Sequence, residues 1–424
     1  MAQSPAHSGE NNRTSPWRPV LINLVLLGCF ILASLSTGEL LLRRYYPIGE
    51  TIAQLDRRYL YRYIPNSREI YRFTAANGGK KLLVTINGEG RRGALVSMKR
   101  PRILVYGDSF ISAVFCPVKQ TFVWQLEQKL KATVAQAPQV INCGVSGYGP
   151  DQESLVMEDE IDRLQPRLVI VSIYSGNDFG NLLRHKIYRL DSLGQLKNNE
   201  YTLDPSLAHI PFLSDQGSQF YGIRLLLKVR ERLANIGAAA PTATPKSEDY
   251  LEAALRKCLA EYKEYVISRN NSVLDLVDGH YDGDVSLIPS SESSQYKRVL
   301  MDRVIERMKQ ITEARSIPLM LMIIPSPFDV VDNYVASAAT TKYPEYRRSE
   351  LTDIGEEIAR KHQLPCVNLF GPFREHGAAS LYYVVDNDHW NAEGQQLAAG
   401  LVAEYIVHQH LRGTTRAAPI GMRQ

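Results

Sequence analysis

Disulfide chemistry has little to work with in this chain. Its five cysteines (Cys29, Cys116, Cys143, Cys258, Cys366) are scattered over 424 residues, form no C-x-x-C pair and lack the spacing of a metal-ligand set. Neither a disulfide framework nor a metal site is expected, and no cofactor. The odd count leaves at least one thiol free. A Cys116–Cys143 bridge is conceivable outside the cytoplasm, but its geometry is not written in the sequence. Cys143 and Cys366, at or beside predicted strands, read as buried apolar fillers. Charge of one sign is scarce too: a net +4 with the basic residues dispersed gives no case for nucleic acid as a partner. No glycine-rich loop carries a lysine to cradle phosphate, and no internal repeat is evident. A Gly-x-Ser-x-Gly elbow is absent, which disfavours the ordinary α/β-hydrolase architecture. What remains is ample apolar material, 44% of the residues, for one large domain or a domain with a subdomain.

One apolar run is long. Val20 to Ser36 is broken only by Asn23 and Gly28, and Leu40-Leu41-Leu42 continues it past Glu39, a length that spans a bilayer. A cleaved signal peptide is the rival reading, with Ala33, Ser34 and Ser36 near a cleavage point. The run is long for a signal segment and Arg43-Arg44 follows it like a stop flank, so a retained anchor over 19–42 is expected, after a cytoplasmic or flexible stretch 1–18. Basic residues number two before the span (Arg13, Arg18) and four after it (Arg43, Arg44, Arg57, Arg58), a bias towards a cytoplasmic carboxyl side. Long domains translocate largely regardless of such charges.

Four short pieces, far apart, carry the chemistry. Gly107-Asp108-Ser109 follows the β-branched run Arg102 to Tyr106, which reads as a buried parallel strand, so Ser109 sits at a strand's carboxyl end where open α/β sheets place ligands. Asn142-Cys143-Gly144-Val145-Ser146-Gly147 follows a second strand, Pro138 to Asn142, and its glycines let backbone N–H groups approach a ligand. Gly176-Asn177-Asp178 follows the clearest strand, Arg167 to Tyr174, and Asn177 offers an amide donor that does not titrate. Asp386-Asn387-Asp388-His389 precedes a periodic helix, Ala392 to His408, and places a base, His389, three residues from a carboxylate, Asp386, able to fix its tautomer. Asp388 competes for that role but is poorly placed as the immediate neighbour. Each piece alone reads equally as a turn or helix cap, with Asn391 as the expected N-cap of the last helix. Together they supply what acyl transfer to serine needs.

In that order the four pieces resemble the SGNH, or GDSL-type, hydrolase family, named for Ser, Gly, Asn and His in four blocks. The text Asn142 to Gly149 and Asp388 to Gly394 is similar to membrane-anchored bacterial members. The resemblance implies a flavodoxin-like three-layer α/β/α sandwich with a parallel sheet and ester chemistry without metal. It also implies Ser109 as nucleophile, His389 as base with Asp386 orienting it, and Ser109, Gly147 and Asn177 as oxyanion donors. Anchored relatives act outside the cytoplasmic membrane, which places the catalytic domain there, in the periplasm.

Two further strands, Ile317 to Pro325 and Pro365 to Phe370, bring the sheet to five. A hydrolase domain over 101–412 is expected, interrupted by an insertion at about 181–316 with amphipathic helices at Tyr250 to Val266 and Tyr296 to Ala314 and a linker at Pro241 to Lys246, and ending before a flexible tail, 413–424. Such an insertion either roofs the site and selects substrate or pads the surface, and the roof is the reading favoured because loops at strand ends commonly carry specificity. Residues 43–100, dense in Tyr and Arg, read as an accessory strand layer that includes Leu82 to Asn87. The expected function is a membrane-anchored serine esterase acting on small ester substrates, an O-acetyl group on an envelope polysaccharide in particular. An O-acyltransferase using the same triad and a non-catalytic envelope scaffold are the alternatives.

Overall fold

The computed structural model describes residues 17–45, 51–209, 221–234, 248–276, 279–332, 342–383 and 388–416. The expected linker at Pro241 to Lys246 lies outside them. The chain divides into two compact units, one made of residues 1–49 and 217–238, the other of 50–216 and 239–424.

In the larger unit five parallel strands form the central sheet: β1 (Arg102–Tyr106), β2 (Gln139–Asn142), β3 (Leu168–Tyr174), β4 (Leu319–Ile324) and β5 (Cys366–Asn368). Their spatial order is 2-1-3-4-5, the flavodoxin-like order, with its topological switch between β1 and β3. All five sequence-predicted strands form. Because β-crossovers are right-handed, a chain that reverses direction once must place its first crossover on one face and the later ones on the other. The side chains alternate accordingly. Ile103, Val105, Ile170, Met320, Met322 and Ile324 share a core with Phe122, Leu126 and Leu130 of the first crossover helix (Phe122–Thr133) and with Ala398 and Val402 of the final helix (Ala392–Arg416). Leu104, Val169, Val171, Leu321 and Ile323 share the opposite core with the helices Pro150–Leu164, Glu292–Glu313 and Glu350–Lys361. The result is the expected three-layer sandwich. The final helix runs to Arg416, past the expected end at His408.

Helix Glu292–Glu313 falls within the stretch 181–316, yet Leu300, Met301, Val304, Ile305 and Met308 are fully buried against the sheet. It closes the β3–β4 crossover, and Glu248–Tyr262 packs beside it. At its start Lys297, wholly buried, donates to Asp282 Oδ1 at 3.1 Å and to Asp284 Oδ1 at 2.8 Å. Asp282 in turn accepts from the Gly180 N–H at 2.9 Å and gives its own N–H to the Gly176 carbonyl at 2.8 Å, so the insertion is stitched to the loop after β3. Cys258 lies beside the two carboxylates, within 4.8 Å, but the Lys297 ammonium occupies the cationic position there.

Ahead of β1, two antiparallel pairs, Ala53–Asp56 with Leu60–Tyr63 and Arg68–Arg72 with Lys81–Thr85, form the accessory layer. In the smaller unit the apolar run is one helix, α1 (Trp17–Tyr45), long and apolar enough by length and composition to cross a membrane. Cys116, Cys143, Cys258 and Cys366 are all free thiols, Cys116 and Cys143 included.

Removing one partner of a buried ion cluster leaves the others uncompensated, at about 3–5 kcal/mol. Lys297→Ala is therefore expected to lower the urea midpoint of the solubilised chain by that equivalent, whereas Arg256→Ala, whose pair with Glu252 is largely exposed, leaves it within about 0.5 kcal/mol.

Candidate active site

β1 ends at Tyr106 and the chain turns through Gly107 into a single helical turn, Ser109–Ser112, capped by Asp108, whose Oδ1 accepts from the Phe110 N–H at 2.8 Å. This cap presents Ser109 at the strand tip, half-exposed. Its hydroxyl lies 2.6 Å from His389 Nε2 and 3.3 Å from Asp108 Oδ2. The imidazole, the nearer acceptor, is the one placed to take the proton.

His389 is held by its backbone and by its ring. Tyr383 donates its N–H to the His389 carbonyl at 3.0 Å, and Asn391 donates to the Leu381 carbonyl at 3.0 Å, with Tyr382 and Trp390 paired in an antiparallel bridge between them. Asn391 caps the final helix as expected, its Oδ1 accepting from Glu393 and Gly394. The ring stands between Phe110, 4.9 Å away centre to centre, and Phe115 at 4.0 Å. Next to it Trp390 is completely buried against Phe110 and Phe373. Asp386, expected to orient His389, lies outside the described residues.

The loop after β2 packs directly on the serine turn. Asn142 Nδ2 donates to the Ile111 carbonyl at 2.8 Å, Val145 N–H to the Gly107 carbonyl at 3.1 Å, and the Ser112 and Ser146 hydroxyls meet at 2.8 Å. A Cβ on Gly144 would stand 2.6 Å from the Ser112 nitrogen, which is why the approach requires glycine there. Two tyrosines of the accessory strand Leu60–Tyr63 fix the next peptide. Tyr61 donates its hydroxyl to the Ser146 carbonyl at 2.9 Å, and Tyr63 accepts from the Ser146 N–H at 3.0 Å while touching its hydroxyl at 3.0 Å. In a trans peptide the C=O and the following N–H point in opposite directions, so the Gly147 N–H is turned away from Tyr61. It has no acceptor among the described residues. Gly147 has φ +80°, and a Cβ there would lie 2.6 Å from the Tyr61 oxygen.

Asn177 heads the helix Asp178–His185 after β3. Its Oδ1 accepts weakly from Asn181 Nδ2 at 3.4 Å, its carbonyl accepts from Arg184, and its Nδ2 faces Gly279 so closely that a Cβ there would lie 2.6 Å away. Behind it Asp178 caps the β3 tip by accepting from the Tyr174 N–H at 2.7 Å. The structure thus brings Ser109 and His389 into contact, packs the Gly147 loop on the serine turn, and places Asn177 at the adjoining strand tip.

Sequence reasoning missed the tyrosine brace and Arg92. Arg92 is buried, and its guanidinium gathers the carbonyls of Ser112 (3.1 Å), Ala113 and Cys116, the exit of the serine turn. The only signal was the alternation of Tyr and Arg in 58–63 and the paired Arg91-Arg92.

A 2-1-3-4-5 sheet with a serine–imidazole pair at its switch point defines a flavodoxin-like α/β enzyme of the hydrolase type. Residues 105–397, more than half of the chain, match the GDSL-like lipase/acylhydrolase family. The chain belongs to that family and is a hydrolase acting on ester bonds. No curated protein matches it. Among solved structures it is similar to a catalytic mutant of an acetylxylan esterase from Geobacillus stearothermophilus (10% identity, 72% of this chain and 94% of that one, TM-score 0.36). It is also similar to a GDSL-like lipase from Bacteroides thetaiotaomicron (12%, 75% and 93%, TM-score 0.34). A third is the lipase/acylhydrolase from Enterococcus faecalis (12%, 73% and 96%, TM-score 0.35).

Burial pushes the Asp108 carboxyl up to about 6, against the opposing bonds from Phe110 and Ser109. The folded chain therefore keeps this proton to about pH 6, whereas the unfolded chain releases it near pH 3.9. The resulting stability is fully present below about pH 4 and is lost as pH rises to about 6. Urea midpoints measured from pH 4 to 7 are expected to show that fall in the wild type and a shallower one in Asp108→Asn; identical slopes would refute the assignment.

Proposed function

We propose that this protein is a membrane-anchored serine esterase that removes small O-acyl groups, acetyl above all, from an envelope polysaccharide. The observation that carries the chemistry is the 2.6 Å contact between Ser109 Oγ and His389 Nε2. Ser109 attacks the acyl carbonyl while His389 takes its proton. The imidazolium formed rests against the Phe115 ring, with Asp386 as the carboxylate that fixes its tautomer. The oxyanion of the tetrahedral intermediate accepts from the N–H groups of Ser109 and Gly147 and from the Asn177 amide, each typically worth about 3 kcal/mol of transition-state stabilisation. Collapse expels the alcohol, which takes the proton from His389. Water, deprotonated by the same imidazole, attacks the acyl-serine, and acid leaves.

The anchor, 19–42, is read from the apolar helix α1, and the enzyme domain, 101–412, is placed in the periplasm. Small O-acyl substrates and a glycan as the alcohol rest on the family and on anchoring. The insertion, whose Gly279 backbone borders Asn177, is read as one wall of the substrate site.

Labelling by a fluorophosphonate probe and turnover of p-nitrophenyl acetate should both vanish in Ser109→Ala with folding intact; equal rates would remove the catalytic reading. Acetate release from acetylated glycans tests the substrate. If acetyl appears instead on an added sugar acceptor with little free acid, the enzyme is a transferase. Tyr61→Phe removes the bond that aims the Gly147 N–H, so kcat should fall about 10-fold, some 1.4 kcal/mol, at nearly constant KM. A change confined to KM would show that the brace does not serve the transition state.

A further inference from the structure

We propose that the helix α2 (Tyr221–Ala234) of the smaller unit lies in the plane of the membrane interface, its leucine side in the acyl boundary and its basic side on anionic headgroups. The inference rests on α1 being a membrane span, the reading given above.

The starting point is Glu39, the only acidic residue of α1, a place where an ionised group needs partners. It has them. Its two oxygens accept from the first backbone N–H groups of α2, Tyr221 at 2.8 Å and Gly222 at 3.1 Å, and Arg43 donates to the same carboxylate at 2.9 Å. The Arg43 guanidinium also lies over the Tyr221 ring, 5.1 Å from its centre. A carboxylate on the open N–H groups of a helix satisfies them and complements the helix dipole. Glu39 therefore pins the start of α2 to one level of α1.

That level is the membrane surface. Counted from Val20, the nineteen residue steps to Glu39 rise about 28 Å at 1.5 Å each, against a hydrocarbon thickness of about 30 Å. A helix pinned there either lies on the bilayer or points into water, and its composition decides between them. At 3.6 residues per turn Leu225, Val229, Leu233, Leu226, Ile223 and Leu227 fall on one broad arc, interrupted by Arg230, and Arg224, Lys228 and Arg232 fall on the opposite one. Of its charged residues only Glu231 is acidic against four basic ones. Ile223, Leu226 and Val229 are 46, 69 and 44% exposed, a state that water penalises and an acyl boundary rewards. An apolar arc opposite a basic one is the pattern of helices that bind anionic membrane surfaces.

The test uses the full chain reconstituted into phosphatidylcholine vesicles with and without phosphatidylglycerol, comparing wild type with Leu226→Trp. The added emission of L226W should drop at least two-fold when the lipids are brominated near the top of the acyl chains. It should resist acrylamide, and both effects should strengthen with phosphatidylglycerol. Emission that ignores brominated lipid and is quenched by acrylamide overturns the proposal. Shielding from both quenchers that disappears when the protein is diluted ten-fold in lipid assigns the leucine side to a second copy of the chain, and equally overturns it. An alkaline carbonate wash separates the two readings. A chain released from the vesicles ends the span reading, whereas a retained chain with a water-exposed tryptophan ends only the interfacial placement of α2.

Discussion

A hydroxyl and an imidazole 280 positions apart along the chain meet at 2.6 Å, and most of the larger unit can be understood as what holds that contact. A hydrogen bond of this kind contributes only about 1 kcal/mol by itself, so it cannot assemble the site. The sheet and its flanking helices do that. β1 delivers Ser109 to the switch point, and the final helix, packed on the Phe122–Thr133 helix, delivers His389 from the other end of the sequence. Gln395 of that helix ties the two together by accepting from the Phe122 N–H at 2.6 Å and donating to the Phe110 carbonyl at 3.3 Å.

Around the contact, several carboxylates are buried. Asp108, Asp178 and Glu153 lie within one another's fields beneath the strand tips, and burial raises each above the ordinary carboxylate range. Asp282, Asp284 and Lys297 form the paired counterpart further back. Buried charge of this sort is weak evidence for stability. Its effect here is geometric, fixing the start of the Asp178–His185 helix and the insertion's approach to Asn177.

Much of this was legible in the sequence. The five strands announced themselves as short β-branched runs between turn residues, because a parallel strand buried on both faces leaves no room for alternation. Ser109 and His389 were legible because each stands at a strand tip or helix start with recognisable neighbours. The extent of the insertion was less so: Glu292–Glu313 carries charge on its outer face, and only the sheet reveals that its inner face completes a crossover. Tyr61, Tyr63, Arg92 and Glu39 were illegible as functional residues. Each acts through a partner distant in sequence, and a long-range hydrogen bond leaves no periodic trace.

The tyrosine brace has a practical reach. The family match begins at residue 105, yet Tyr61, Tyr63 and Arg92, which shape the loop and the turn on either side of the serine, all come before it. The catalytic half of this chain is consequently not a portable cassette. A boundary drawn where the family likeness starts would discard the clamps and keep the residues they clamp, so a soluble form must be cut close behind the apolar helix rather than at the edge of the matched region.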